Sequence, residues 1–347
     1  MIGPSLKTKG GMTTVSTQII ESSPVDIEIE FMGSMHDYSY LGRVYLWFFL
    51  MAYTPFRWFY KRPSLVHIHF AERLSIWRKA SIGLIWKIGG VPLVLHSHGA
   101  TLKENYDRMG PIKRSLFKGF LSLAKEVIVL SEAWREFFHF KIGLDHKSIV
   151  VLENPIPNIS DSMTGTTSSD DIIYMGRIGN RKGTFELINA YSKIDPDERS
   201  SLFILGDGDV NGARKLVDDL QLEEACHVVG WVSNQEKIEI IQRCSAVILP
   251  SKNEGLPMAL LEGMAYGLIP ISTRVGGIPD LISHGSNGLL IDGHGQSDVE
   301  ASLRLFYSLD HDTKESISQR AINSVSDYGM DAYMEKLVGI YRRSIGL

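Results

Sequence analysis

Two glutamates in the second half of the chain, Glu254 and Glu262, flank the predicted start of a helix. The apolar run 246–249 is typical of a strand buried in a parallel sheet, and Pro250 ends it because proline cannot donate a hydrogen bond to a neighbouring strand. We predict a helix that begins at Pro257, where the missing N–H of proline costs nothing. A helix start binds phosphate through its free N–H groups and its dipole. Carboxylates do not bind phosphate, so the two glutamates predict hydrogen bonds to the hydroxyls of a nucleotide or sugar; the alternative is a helix cap for Glu254 and a solvated helix face for Glu262.

A basic loop earlier in the same half predicts the partner of that helix start. The loop 176–183 follows an apolar strand, 171–175, and contains Arg177, Arg181 and Lys182. Ligands of open α/β sheets bind at the carboxyl ends of the strands, where this loop begins. The cations therefore predict a ligand site at this edge of the sheet, and the alternative is a solvated basic loop.

The spacing of these residues resembles the signature of the family-4 retaining glycosyltransferases. The motif is a Glu, seven residues and a second Glu, with Gly255 and Pro257 between them and a Gly276-Gly277 turn after the next strand. The resemblance covers nearly the whole chain. It implies an α/β protein of the GT-B fold, with two doubly wound Rossmann-like domains facing a central cleft. It also implies transfer of a hexose from a UDP- or GDP-linked donor with retention at the anomeric carbon, as in surface polysaccharide biosynthesis.

The resemblance assigns roles to individual residues. Arg177 and Lys182 match the pair that binds the diphosphate. Glu254 is expected to orient the donor sugar and Glu262 to accept hydrogen bonds from the ribose, while His98 occupies the position that reaches the transferred sugar. The other donor-binding positions are Gly10, Gly11, Gly176, Gly208, Trp231, Val232, Gly255, Leu256 and Pro257. The family uses no metal ion in its chemistry, and no cofactor is expected besides the nucleotide sugar.

Length and composition fit two cytoplasmic domains. A chain of 347 residues can form two cores, and its 2 cysteines have no spacing typical of a metal or redox site. The N-terminus lacks the pattern of a signal peptide, and the first strand, 1–4, is either short or begins upstream. We predict an acceptor-side domain over 1–155, a linker over 156–170, a nucleotide-sugar domain over 171–328, and a last helix over 329–347 that crosses back to the first domain.

The first half of the chain is basic and rich in aromatic residues. Residues 1–160 hold 19 Lys and Arg against 13 Asp and Glu, although the net charge of the whole chain is −4, which argues against a general nucleic-acid-binding surface. The segment 38–60 is dense in aromatic residues with cations at its margins, and 111–124 repeats apolar residues at helical spacing with basic residues between them. Both segments suit helices in a membrane interface against anionic lipid, but for the first segment a core helix that covers one face of the sheet is the favoured interpretation. We therefore expect peripheral contact with the inner face of the cell membrane and a saccharide or lipid-linked saccharide as the acceptor.

Further strands are predicted in the first half at 25–31, 65–70, 92–99, 126–131 and 148–155, and two of them end in histidine pairs. The strand 25–31 has alternating apolar residues, while the strands 65–70 and 92–99 each end in His-x-His. Four histidines on two strands suit a metal ion, as in a metal-dependent hydrolase, but such sites recruit a further ligand and a second-shell partner that the sequence does not mark. We therefore predict strand-end packing for His67, His69 and His96, and no metal site.

One other activity of the same fold fits the motifs. A nucleotide-sugar 2-epimerase would share the donor site, and only its product would differ. A NAD-dependent enzyme is disfavoured, because it would need Gly-x-Gly-x-x-Gly between a strand and a helix, and 206–212 offers only Gly-x-Gly.

Overall fold

A computed structural model describes residues 1–8, 10–34, 40–72, 74–156 and 169–347. The chain divides into two compact units, and we refer to Met1–Pro155 with Met330–Leu347 as unit 1 and to Ile156–Gly329 as unit 2. Each unit contains a six-stranded sheet, and every pairing between neighbouring strands in the described residues is parallel. The predicted linker falls mainly on 157–168, which lies outside the described residues.

Unit 1 has the strand order β2-β1-β3-β4-β5-β6. The strands are β1 (Ile2–Gly3), β2 (Met32–Gly33), β3 (Val66–Phe70), β4 (Leu93–Ser97), β5 (Glu126–Val129) and β6 (Ile149–Val151). The helices are α1 (Gly11–Glu21), α2 (Tyr40–Tyr60), α3 (Leu74–Ile88), α4 (Leu102–Asp107), α5 (Pro111–Leu121), α6 (Glu132–Glu136) with a π-helical turn at Phe137–Ile142, a 3-10 turn at His146–Ser148, and the C-terminal helix Met330–Ile345. Helix α2 packs against α3, and α3 packs against α5.

Unit 2 has the strand order β12-β11-β10-β7-β8-β9. The strands are β7 (Ile172–Met175), β8 (Leu202–Leu205), β9 (Cys226–Gly230), β10 (Ala246–Leu249), β11 (Ile269–Thr273) and β12 (Leu289–Ile291). The helices are α7 (Thr184–Tyr191), α8 (Val210–Asp219), α9 (Asn234–Ile241), α10 (Met258–Ala265), α11 (Ile278–Leu281), α12 (Gln296–Ser308) and α13 (His311–Val325), with 3-10 turns at Asn180–Lys182 and Ser326–Tyr328. Strands β7, β8 and β10 are entirely buried, as their unbroken apolar runs predict.

The predicted strand at 25–31 is wrong, and its pairing partner explains why. Strand β1 offers only Ile2 and Gly3 for pairing, and their partners are Met32 and Gly33. The preceding residues alternate between half-buried and exposed, as the pattern predicts, but the short neighbour leaves them without a strand to pair with. A strand exists only where a neighbour supplies hydrogen-bonding groups.

Both predicted aromatic or basic segments of unit 1 form helices. The first is α2, which begins at Tyr40 in the described residues, and the second is α5. Leu50 and Thr54 of α2 are buried, whereas several of its aromatic side chains are exposed. No helix among the described residues has the length and apolarity needed to cross a bilayer.

Candidate functional site

The loop that carries Glu254 is held in place by β11 and the turn that follows it. Ser272 Oγ donates to the Leu249 carbonyl at 2.6 Å, and the Gly277 N–H donates to the Gly255 carbonyl at 2.7 Å. Gly276 has φ +60°, and a Cβ there would lie 2.0 Å from the Glu254 carbonyl oxygen. The glycine turn named in the sequence motif therefore lets two backbone segments touch at this point.

The basic loop is held from the other side by buried hydroxyl groups. Thr184 Oγ1 donates to Tyr174 Oη at 2.9 Å, and this hydroxyl donates to the Arg177 carbonyl at 3.0 Å. Thr184 Oγ1 also accepts from the Gly179 N–H at 3.1 Å. Burial raises the pKa of Tyr174, so its hydroxyl keeps the proton that it donates to the loop.

The two loops touch along their backbones. The Lys252 N–H donates to the Arg181 carbonyl at 2.9 Å, and Arg181 Nη1 donates to the Asn253 carbonyl at 3.1 Å. A Cβ at Gly183, which has φ +71°, would lie 2.1 Å from the Pro250 carbonyl oxygen. Both loops follow the carboxyl ends of the adjacent strands β7 and β10, so their contact is set by the sheet.

An ion pair joins the two loops at their side chains. Lys182 Nζ donates to Glu254 Oε1 at 2.5 Å, and the side chains are 16% and 6% exposed. An ammonium group has three N–H donors, so this bond leaves Lys182 with further donors for a ligand. Pro257, the residue before α10, has no capping side chain, and within the described part of the chain Glu254 pairs with a lysine, which favours the ligand-site interpretation over the helix cap.

The start of α10 differs by one residue from the prediction. Pro257 has extended backbone angles, φ −76° and ψ 122°, and the helix begins at Met258. Because the carbonyl of Pro257 accepts from the Leu260 and Leu261 N–H groups, proline is the residue before the helix and not its first residue.

Arg177 belongs to the same basic loop as Lys182, but its ion pair is with Asp207. Its side chain is 70% exposed, and Nη1 is 3.8 Å from Asp207 Oδ2. The Ile178 N–H donates to the Asp207 carbonyl at 2.6 Å, and Gly208, with φ +108°, lets the Ile178 carbonyl approach. The turn after β8 therefore supports the basic loop and keeps the guanidinium in solvent.

Sequence reasoning missed the partner of Glu262. Lys237 Nζ of α9 forms an ion pair with Glu262 Oε1, and their side chains are 25% and 14% exposed. Glu262 therefore does not lie on a solvated helix face, as the alternative interpretation had it. Trp231, which follows β9 and precedes α9, is 58% exposed. The fixed start of α9, where Ser233 and Glu236 form a capping box, is a local signal that could have drawn attention to the lysine one residue later.

Three predicted site residues belong to unit 1. Gly10 and Gly11 stand at the start of α1, where Gly10 has φ +145° and an added Cβ would meet nothing within 4 Å. His98 follows β4, and its Nε2 is 2.9 Å from His69 Nδ1. Burial lowers the pKa of His98 to about 3, so the ring is neutral.

Two family models match consecutive parts of the chain. Residues 159–324 match the model for glycosyl transferases group 1, and residues 29–158 match the model for glycosyltransferase family 4. The chain belongs to glycosyltransferase family 4. Its predicted family membership is thereby confirmed.

Curated relatives of this family-4 glycosyltransferase are named for different reactions. The chain is 23% identical to D-inositol 3-phosphate glycosyltransferase of Corynebacterium kroppenstedtii over 81% of its own length and 67% of that protein. It is 30% identical to the putative colanic acid biosynthesis glycosyltransferase WcaL of Salmonella typhimurium, over 49% of this chain and 44% of that protein. The second match thus spans less than half of the relative.

Solved structures confirm the GT-B fold. Anabaena Alr3699/HepE, in complex with UDP and glucose, has a TM-score of 0.75 at 17% identity and covers 98% of this chain and 97% of its own. The lipopolysaccharide outer core galactosyltransferase WaaB, in its apo form, has a TM-score of 0.69 at 19% identity and covers 99% of this chain and 98% of its own. The predicted α/β class is confirmed with it.

Proposed function

We propose that this family-4 glycosyltransferase moves a hexose from a nucleotide-diphosphate donor to a saccharide or lipid-linked saccharide, with retention, in surface polysaccharide biosynthesis. The observation that carries the proposal is the Lys182–Glu254 pair, which lies between two loops at the carboxyl edge of the unit 2 sheet. Relatives named as a putative colanic acid biosynthesis glycosyltransferase and as a D-inositol 3-phosphate glycosyltransferase support the reaction class. Structural neighbours that hold UDP make UDP the first donor nucleotide to test.

The charges of the two loops suit a departing diphosphate. Negative charge builds on the diphosphate as the glycosidic bond breaks, and preorganised donors stabilise it without reorganisation. Lys182 is held by Glu254 and keeps free N–H donors, while exposed Arg177 can turn from Asp207 to a phosphate oxygen. The start of α10, where Pro257 offers no capping side chain, adds the positive end of a helix dipole. In this role Arg177 and Lys182 bind the leaving group, and the leaving phosphate accepts the proton of the acceptor hydroxyl.

The carboxylates suit the sugar hydroxyls of the donor. Glu262 pairs with Lys237 through Oε1, which leaves its second oxygen to accept from a ribose hydroxyl. Glu254 pairs with Lys182 through Oε1 in the same way, and we assign its second oxygen to a hydroxyl of the donor sugar. Lys237 enters this proposal as a positioning residue that fixes the orientation of Glu262.

Donor binding and product analysis test the proposal together. UDP, GDP and ADP are screened by thermal shift, since a ligand that binds the native state raises the melting temperature. The matching nucleotide sugar is then incubated with and without a saccharide acceptor, and the anomeric configuration of the product is read by NMR. We expect one nucleotide to stabilise the protein and an α-linked donor to give an α-linked product. A 2-epimerised sugar formed without acceptor would replace the proposal with the epimerase, and no stabilisation by any nucleotide diphosphate would overturn both.

We extend the proposal to a membrane-bound acceptor because of the exposed face of α2. Its exposed aromatic side chains are Tyr45, Phe48, Phe49, Phe56 and Tyr60. The rings of Phe56 and Tyr60 stack at 4.3 Å. Exposed Ile112 and Leu116 lie one turn apart on α5. Apolar and aromatic side chains on one helix face suit the membrane interface.

The cations beside that face are less available than the sequence suggested. Arg57 and Lys61 form ion pairs with Glu30 and Glu28. Lipid binding should therefore depend more on the aromatic residues than on anionic lipid. Flotation with anionic and with zwitterionic vesicles at low salt tests this: we expect binding to both, and no flotation with either would remove the membrane from the proposal.

A further inference from the structure

Three histidines converge on one side of the unit 1 sheet. His69 of β3 lies opposite His96 of β4, and His67 precedes His69 by two residues on the same strand face. The ring centroids are 4.2 Å apart for His67 and His69, 5.1 Å for His69 and His96, and 5.4 Å for His67 and His96. All three residues are buried, at 2%, 0% and 0% exposure.

The nitrogens of these rings are only partly satisfied by the protein. His67 Nδ1 is 2.7 Å from Tyr341 Oη, and its Nε2 has no hydrogen-bond partner among the described residues. His69 Nδ1 is 2.9 Å from His98 Nε2, and its Nε2 meets the weakly accepting thioether of Met1 at 3.0 Å. Neither nitrogen of His96 has a hydrogen-bond partner in the part of the chain that the structure describes. Buried polar groups are nearly always bonded, so such orphaned atoms point to an ion or water.

We propose that His67, His69 and His96 bind a borderline divalent metal ion such as Zn²⁺. Each residue offers one ring nitrogen, and these three atoms lie within 4.8 Å of one another. Zinc bound by histidine at about 2.0–2.1 Å in tetrahedral geometry would need nitrogens roughly 3.4 Å apart, so each atom would move by less than about 1 Å. Imidazole ligands suit Zn²⁺, Ni²⁺ and Cu²⁺ better than Mg²⁺ or Ca²⁺.

The hydrogen bonds on the opposite nitrogens support this assignment. A histidine that binds metal usually has its other nitrogen held by a second group, which fixes the tautomer and the ring orientation. Tyr341 holds Nδ1 of His67, and His98 holds Nδ1 of His69. These are the second-shell partners that the sequence did not mark, because Tyr341 belongs to the C-terminal helix, 274 residues after His67. The metal would link β3 to β4 beside His98, a structural role that lies beyond the proposed sugar transfer.

Metal binding to the full chain tests the proposal directly. Protein stripped with a chelator is titrated with Co²⁺, whose visible spectrum reports tetrahedral nitrogen coordination, and then with Zn²⁺ as a competitor. We expect one equivalent of Co²⁺ to be bound, to be displaced by Zn²⁺, and to raise the melting temperature. A chain that binds less than a tenth of an equivalent and whose melting temperature does not change would overturn the proposal and leave ordered water as the partner of the orphaned nitrogens.

Variants separate this cluster from surface histidines. His96→Phe should weaken metal binding by at least about 100-fold, and Tyr341→Phe, which keeps all three ligands, by about 10- to 100-fold. His227→Phe, a half-buried histidine of unit 2, is the matched control and should bind metal as the parent does. If both His96→Phe and Tyr341→Phe bind metal as tightly as the parent, the metal ion binds outside the histidine cluster, and the proposal is contradicted. If a variant fails to fold, the cobalt spectrum of the unmodified chain still decides.

The metal-binding test does not depend on the transferase proposal. Metal content, spectrum and melting temperature are read without a nucleotide sugar. A chain that binds metal but transfers no sugar, and one that transfers sugar without metal, each reject one proposal and keep the other.

Discussion

The two units differ in how their buried polar side chains are neutralised or hydrogen-bonded. In unit 2 the carboxylates Glu254 and Glu262 lie largely buried, each beside a lysine that neutralises it. In unit 1 the buried histidines meet a tyrosine, a thioether or each other, and His96 meets no described hydrogen-bond partner. The paired charges of unit 2 suit a charged ligand that exchanges partners with them. The neutral rings of unit 1 suit a ligand that needs nitrogen lone pairs.

The surfaces of the units differ as well. Among the described residues, 15 large apolar side chains are exposed in unit 1 and 3 in unit 2, although the units are nearly equal in length. Clustered apolar exposure marks a surface that binds an apolar partner. This difference in exposed apolar side chains favours separate binding roles, in which unit 2 binds the charged donor and unit 1 binds an apolar surface.

The largest expected effect is on the rate of sugar transfer when the ammonium group of Lys182 in unit 2 is removed. Lys182→Ala should lower the rate of sugar transfer by at least about 10²-fold, because it removes a preorganised donor to the leaving diphosphate. Initial rates of nucleotide release measure it. Lys252→Ala is the matched control, since Lys252 pairs with Glu186 at 2.7 Å and is not assigned to the donor; its rate should stay near that of the parent. Near-normal turnover in Lys182→Ala would remove this lysine from the site.

The next largest effect is a loss of stability when a side chain is added where the backbone segments of two unit 2 loops touch. Gly276→Ala places a Cβ 2.0 Å from the Glu254 carbonyl oxygen at φ +60°, so we expect it to lower the free energy of unfolding by at least about 3 kcal/mol. Gly285→Ala has a similar φ of +73° with nothing within 4 Å, and should cost only about 1 kcal/mol. Urea unfolding compares the two. If the two variants lose equal free energy of unfolding, the turn at Gly276 moves at little cost and does not hold Glu254 in place.

The local motifs could be predicted from the sequence, whereas contacts between distant elements could not. The strand, loop and helix around Glu254 follow from an apolar run, a proline and a glycine-rich turn, which act over a few residues. The Lys237–Glu262 pair joins two helices, α9 and α10; the capping box marks the start of α9, but no local pattern pairs its lysine with Glu262. Alternation placed the histidines of each strand on one side, but the register that sets His69 against His96 depends on the whole sheet. The failed strand at 25–31 has the same cause, since its pattern was right and its neighbour too short.

Ligand protection of buried thiols tests whether the donor belongs to unit 2. Cys226 and Cys244 are both buried in that unit, and burial raises the pKa of Cys226 to about 12, so neither thiol should react at pH 8 until the unit opens. UDP at 100 times its Kd should slow their labelling about 100-fold, because it stabilises the closed form. Labelling followed by mass spectrometry measures the rates.

A cysteine in unit 1 serves as the control for that experiment. Ser16→Cys places a thiol of similar size at a fully buried position of α1. Its labelling should slow less with UDP than that of Cys226. Equal protection at both places would mean that UDP stabilises unit 1 as much as unit 2, through the predicted contacts of Gly10 and Gly11 at the start of α1, and no protection at either would argue against UDP as the nucleotide.

The smallest effect concerns the aromatic face of unit 1. Phe56 is 52% exposed and stacks on Tyr60, so Phe56→Ser should remove apolar area from the membrane contact while leaving the core intact. Since burying a phenylalanine side chain contributes about 1.5–3 kcal/mol, partial insertion should make the loss of vesicle partitioning about tenfold. Phe140→Ser is the matched control, because Phe140 is 78% exposed in the same unit but lies on the π-helical turn. If both variants lost partitioning equally, apolar exposure in general and not the α2 face would account for lipid binding; if neither did, the contrast between the two surfaces would lose its membrane interpretation.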